Sequence, residues 1–135
     1  EQRRIEDGLR NGKVDAGADF AVTQPVFDTT LLRRFMQYTV SHDLRIPVIA
    51  GVWPLTSLKN AEFMNNELPG VSVPAPIMDR MRKAAGTERA MTEGVEIARE
   101  ILADIRSFVQ GVQVSAPFNR HRLALGVLES RESGG

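Results

Sequence analysis

The 135-residue sequence contains no cysteine. That excludes disulfides, thiolate metal sites and a cysteine nucleophile. An excess of either charge is also missing: Lys plus Arg and Asp plus Glu both total 17, so the formal net charge is zero. Nothing electrostatic then argues for nucleic acid or an anionic membrane surface as a partner. Histidine is scarce, and His42 and His121 lie far apart, which is weak material for a metal site. No apolar run approaches the roughly 20 residues of a transmembrane helix, and no signal-peptide pattern opens the chain. These absences lead to the expectation of a soluble, cytoplasmic, metal-free protein without nucleic-acid or membrane partners.

What is present suits one domain with a real core, since 42% of residues are hydrophobic. The opening segment, EQRRIEDGLRNG, reads like the late part of a helix or a disordered lead-in. It gives the expectation of a piece of something longer. The end, ESRESGG, is polar.

Between these ends, apolar runs alternate with helical periodicity. Residues 20–23 (FAVT) form a run long enough for a buried strand and too short for a helix. Asp28 or Thr29 can cap a helix whose apolar positions are Leu31, Leu32, Phe35, Met36 and Val40. Residues 46–52 (IPVIAGV) are a second continuous run, the pattern of a parallel strand covered on both faces. Thr56 or Ser57 can start the next helix. The loop NNELPGVSVPAP follows, irregular because it carries three prolines and a glycine. A short helix around Ile77, Met78 and Met81 comes next. The longest helix is expected from Thr87, with Met91, Val95, Ala98, Leu102, Ile105 and Val109 on its apolar stripe. Residues 112–116 read as a third strand and Leu123 to Leu128 as a last helix. This order argues for parallel βα units. Either they make a small open sheet, or they are the last part of a (β/α)₈ barrel.

In parallel α/β folds, ligands sit beyond the carboxyl ends of the strands. The polar residues expected there are Thr23, Gln24 and Asp28, then Trp53, Thr56 and Ser57, then Ser115, Asn119 and Arg120. The set lacks a His–Asp pair, close carboxylates and a nucleophile elbow. It suits binding and orientation of a polar heterocycle or a carboxylate more than acid–base work. A glutamine carboxamide offers donors and an acceptor in one plane. An arginine fork suits a carboxylate or phosphate. From position alone, Gln24 can equally cap strand-end carbonyls, Arg120 can be a surface arginine, Lys13 can simply sit at a helix end, and Trp53 can be packing. The methionines fall on helical apolar faces as ordinary core fillers.

The stretches KVDAGADFAVTQPVFD, IPVIAGVWPL, NAEFMNNELPGVSVP and SAPFNRHRLALGVLE together resemble the methylenetetrahydrofolate reductase family, over Lys13 to Glu129. They look most like the reductase half of bacterial bifunctional proteins that join a homocysteine S-methyltransferase to this reductase. The resemblance implies an α/β fold, a flavin-binding (β/α)₈ TIM barrel. Residues 1–129 would be its C-terminal portion, the last three βα units, and 130–135 a polar tail. It implies FAD as cofactor, NADH or NADPH as electron donor, and reduction of methylenetetrahydrofolate to 5-methyltetrahydrofolate. The hard chemistry would be the cofactor's. Residue by residue, Lys13 matches a lysine that contacts FAD, Gln24 a glutamine that hydrogen-bonds the folate pterin, and Arg120 an arginine that reaches the folate. No residue matches the family's catalytic acid, and Gly12 stands where some members carry a flavin-contacting arginine. Self-association and an upstream methyltransferase domain stay open. So do two other readings: a different α/β-barrel enzyme with a carboxylate or phosphate substrate, and a non-catalytic barrel remnant or interaction module.

Overall fold

The computed structural model of the chain describes residues 14–16, 20–43, 46–115 and 127–128. Its elements run β1 (Val14–Ala16), β2 (Ala21–Pro25), α1 (Thr29–Ser41), β3 (Val48–Val52), α2 (Leu58–Asn66), α3 (Ala75–Ala84), α4 (Arg89–Ile105) and β4 (Gly111–Val114). They build a sheet of order β1-β2-β3-β4. The three expected strands are neighbours, and β2, β3 and β4 pair in parallel. Helices fill both crossovers, α1 between β2 and β3, and α2 to α4 between β3 and β4. This is the α/β class and the arrangement of consecutive βα units in a barrel segment.

β1 is a departure from the sequence reading, in which the first strand begins at residue 20. It pairs antiparallel with β2, Val14 opposite Thr23 and Ala16 opposite Ala21. Only residues 17–20 lie between the two strands. A connection that short permits a hairpin but not a parallel crossover, which takes a dozen residues or more.

The helices begin where side chains can take up free N–H groups. The Asp28 carboxylate accepts from the amides of Thr30 at 3.0 Å and Leu31 at 3.3 Å, capping α1. Leu32, Met36 and Thr39 make the buried face of α1, while Leu31 and Val40, expected on the stripe, are exposed. Thr39 tolerates burial because its hydroxyl donates to the Met36 carbonyl at 2.7 Å. At α2, Ser57 Oγ accepts from the Asn60 amide at 3.0 Å, and Asn60 Oδ1 accepts from the Thr56 amide at 3.2 Å. The reciprocal pair fixes the chain just beyond β3.

On α4 the buried face is Ala90, Gly94, Ile97, Ala98, Ile101, Leu102 and Ile105. Met91 and Val95 are only half-buried, and Val109 lies past the helix end. The stripe is rotated from the expected one because a small-residue edge faces the loop after β3. The core joins this face to Val48, Ala50, Val52, Leu55 and Met81, with Val112 and Val114 of β4 packed against it. Fully burying side chains such as Leu55, Met81, Ile97 and Ile105 is worth roughly 1.5–3 kcal/mol each. Outside the core, Arg80 of α3 bonds Glu93 and Glu100 of α4, both at 2.6 Å.

Candidate functional site

Parallel pairing brings the carboxyl ends of β2, β3 and β4 to one rim. Pro25 lies beside Gly51, Val52 beside Val114, and the Ser115 amide donates to the Val52 carbonyl at 3.1 Å. Gln24, Trp53 and Ser115 therefore share this rim, as expected. Lys13, Asn119 and Arg120 lie outside the described residues.

The strand end at Gln24 is irregular. The ladder starts regularly, with the Ala21 amide donating to the Pro47 carbonyl at 2.9 Å. Continued by twos, residue 25 would donate to the Gly51 carbonyl. Pro25 has no N–H. The bond is instead made by Val26, one residue later, at 2.9 Å. The register shifts between Val22 and Pro25, so β2 carries a bulge at Thr23 and Gln24. On β3, the Gly51 amide donates to the Thr23 hydroxyl at 2.9 Å, and that hydroxyl donates to the Gln24 carbonyl at 2.8 Å. A β-carbon on Gly51 would meet the Thr23 carbonyl oxygen at 3.0 Å and that of Gln24 at 3.4 Å. Glycine lets β3 approach the bulge this closely.

Gln24 is half-buried, with Oε1 shielded from solvent. It lines a cleft of about 180 Å³ together with Thr23, Phe27, Phe35, Gly70 and Ser72. The proline-rich loop reaches this cleft because Asn65 Oδ1 accepts from the Val73 amide at 2.9 Å. Gly70, at φ +81°, supplies the left-handed turn that the loop takes there.

Several rim candidates have structural duties. Asp28 caps α1, Thr56 and Ser57 start α2, and Trp53 packs against the core. His42 stacks on Tyr38 at the far end of α1, with ring centroids 3.9 Å apart. Among the described residues no group of three His, Asp or Glu could hold a metal ion, and no helix is long and apolar enough to cross a membrane. Thr23, Gln24, Trp53 and Ser115 are all neutral. The described rim therefore has no cation for a flavin pyrophosphate and does not by itself fit FAD. A larger open groove of about 590 Å³ runs along Phe27, Ile77, Arg80 and Glu100. Its Arg80 is committed to the α4 carboxylates, and the groove, which Arg34 also lines, runs along α1, α3 and α4. The planar amide at the strand end lies on the carboxyl rim of the sheet and is the better candidate for recognition.

The sequence reading missed two participants, the Thr23 hydroxyl as a ladder acceptor and Gly51 as the space for the bulge. A glycine inside a β-rich run is the signal that could have found the second. Gln113 was also passed over. It is exposed opposite Gly51, on the face away from Val112 and Val114.

Residues 8–131 match the family model for methylenetetrahydrofolate reductase. The chain is similar to methylenetetrahydrofolate reductase 2 of Schizosaccharomyces pombe, 34% identical over 104 residues, covering 73% of this chain and 16% of the relative. It is similar to 5,10-methylenetetrahydrofolate reductase of Escherichia coli, 30% identical over 105 residues, covering 71% of this chain and 35% of that protein. Among solved structures it resembles an uncharacterised protein from Clostridium thermocellum that binds two copies of 5-methyl-5,6,7,8-tetrahydrofolic acid. The TM-score is 0.62 at 19% identity, covering 97% of this chain and 46% of that one. The chain thus spans 16% and 35% of the lengths of these two relatives and 46% of the solved structure.

Proposed function

This chain belongs to the methylenetetrahydrofolate reductase family, and we propose that it forms the folate-facing rim of a protein that reduces 5,10-methylenetetrahydrofolate to 5-methyltetrahydrofolate. The observation that carries the proposal is the placement of Gln24, a planar amide on the bulged carboxyl end of a parallel strand. A pterin edge presents alternating donors and acceptors in one plane, which a carboxamide can match with paired hydrogen bonds. The fold neighbour's binding of a reduced folate supports the same substrate class.

In this reading Gln24 binds and orients the pterin, and the neighbouring cleft walls exclude water from one side of it. Arg120 would take the folate's glutamate tail as a guanidinium–carboxylate pair. FAD would supply hydride transfer, fed by NADH or NADPH, with Lys13 as the contact that the family resemblance assigns to this chain and the remaining contacts on other parts of the protein. Asp28, the described carboxylate that lines the Gln24 cleft, is engaged in capping α1, and this reading assigns the proton donor to another part of the protein. The chain would then be the C-terminal section of a (β/α)₈ barrel, residues 1–129, inactive alone. The same reading admits a fused homocysteine S-methyltransferase domain and a homo-oligomer.

The test is oxidation of NADH and of NADPH by the full-length protein, with and without methylenetetrahydrofolate. Folate-dependent oxidation that forms 5-methyltetrahydrofolate is the expected result. A protein that turns over neither nicotinamide with this folate contradicts the proposal.

A further inference from the structure

The rim's recognition amide sits on a bulge, and a bulge has to be held. In a regular parallel ladder the Gly51 amide would go to a backbone carbonyl of β2. Here it donates to a side chain, Thr23 Oγ1, at 2.9 Å. The same hydroxyl donates a hydrogen bond to the Gln24 carbonyl at 2.8 Å. One hydroxyl therefore ties the β3 backbone to the peptide unit of Gln24. Pro25 prevents the strand from returning to register, because it has no N–H to offer Gly51. Val26 then closes the bulge from the other side, onto the Gly51 carbonyl. Gly51 is clamped by Thr23 through its N–H and by Val26 through its C=O.

We infer that Thr23 is the positioning residue for Gln24: its hydroxyl, bridging Gly51 and Gln24, fixes the direction in which the carboxamide meets the folate. The inference rests on the folate reading of the rim. Thr23 does not touch substrate in this account. It acts through the backbone of its neighbour. Valine matches its shape but cannot accept the Gly51 N–H or donate to Gln24, leaving a partly buried amide without its acceptor. Serine keeps both hydrogen bonds and loses only a methyl group.

The experiment uses the full-length protein with Thr23→Val, Thr23→Ser, Gln24→Ala and the Thr23→Val/Gln24→Ala double variant. Three quantities are read: affinity for 5-methyltetrahydrofolate, the melting temperature, and the crystal structure of Thr23→Val. Thr23→Val is expected to weaken folate binding about tenfold. Thr23→Ser should restore it to within about twofold. The double variant should be about as weak as Gln24→Ala alone, because the two residues act as one unit. All four should still melt well above the assay temperature, which a general loss of folding would not allow. Additive losses, or a Thr23→Val protein whose Gln24 keeps its place and its affinity, overturn the inference. If Gln24→Ala leaves folate binding intact, the folate reading of Gln24 fails instead. The Thr23→Val structure then judges the positioning role separately: a shifted Gln24 peptide supports it and an unmoved one refutes it.

Discussion

Gly94 of α4 lies directly against the backbone of Leu55, so closely that a β-carbon on Gly94 would collide with the Leu55 carbonyl oxygen. Leu55 is 1% exposed and follows β3 by three residues, in the segment that carries Trp53 and leads to Ser57. The longest helix thus presses on the chain that leaves the rim. No flexible side chain is available to yield, since the clash is with backbone.

Gly94→Ala should therefore destabilise the protein, although alanine is the better helix former by about 1 kcal/mol. Overpacking a fixed backbone typically costs about 1–3 kcal/mol, occasionally more, which outweighs the propensity gain. A thermal melt of the variant is expected to show a clear fall in Tm. An unchanged or raised Tm would mean that α4 can retreat from Leu55 freely.

That contact also explains what was and was not legible in the sequence. The strands at 21–25, 48–52 and 111–114 were visible as apolar runs too short for helices, and the helix starts at Asp28 and Ser57 as capping residues. The face of α4 was misjudged by about one residue. Hydrophobicity favours Met91 and Val95, but the geometry needs a side chain absent at the Leu55 contact, and a glycine carries no hydrophobic signal. β1 was missed because three residues, Val14–Ala16, give no usable periodicity. At the rim, Gln24 was legible from its place after an apolar run. The Thr23 bridge was not, because the hydrogen bond to Gly51 joins residues 28 apart in sequence.

Removal of the α1 cap has a bounded effect. Asp28→Ala leaves the Thr30 and Leu31 amides without their acceptor. The expected loss is about 1 kcal/mol, within a range of roughly 0.5–2. Asp28→Asn should recover most of it, since the amide oxygen can still accept. Denaturant titration of the three proteins measures the difference. A full loss in Asp28→Asn would assign the effect to charge rather than capping.

The Arg80 bridge between α3 and α4 should be a small, salt-sensitive contribution. Burial pulls the Arg80 guanidinium down, but hydrogen bonds and charge attraction from Glu100 and Glu93 outweigh it, so its pKa is raised overall. A raised folded pKa gives stability that is complete below the unfolded value and fades only as pH rises through the folded one. For a guanidinium that window lies far above neutrality, so the bridge should be flat across about pH 6–9. Because the pair with Glu93 is about one-third exposed, solvent screening limits Glu93→Gln to about 0.2–1 kcal/mol at low salt. Melts at low and high ionic strength test this. An effect of several kcal/mol, or one indifferent to salt, would contradict the assignment.

Among these measurements, the affinity of full-length Gln24→Ala for 5-methyltetrahydrofolate bears most directly on the rim at the end of β2. In the proposed reading, replacing the carboxamide leaves pterin donors and acceptors without partners, at a cost of roughly 1–3 kcal/mol, or about one to two decades in Kd. The account predicts that loss with a melting temperature close to the parent's. An unchanged Kd, or a weakened one accompanied by a matching fall in stability, would contradict it.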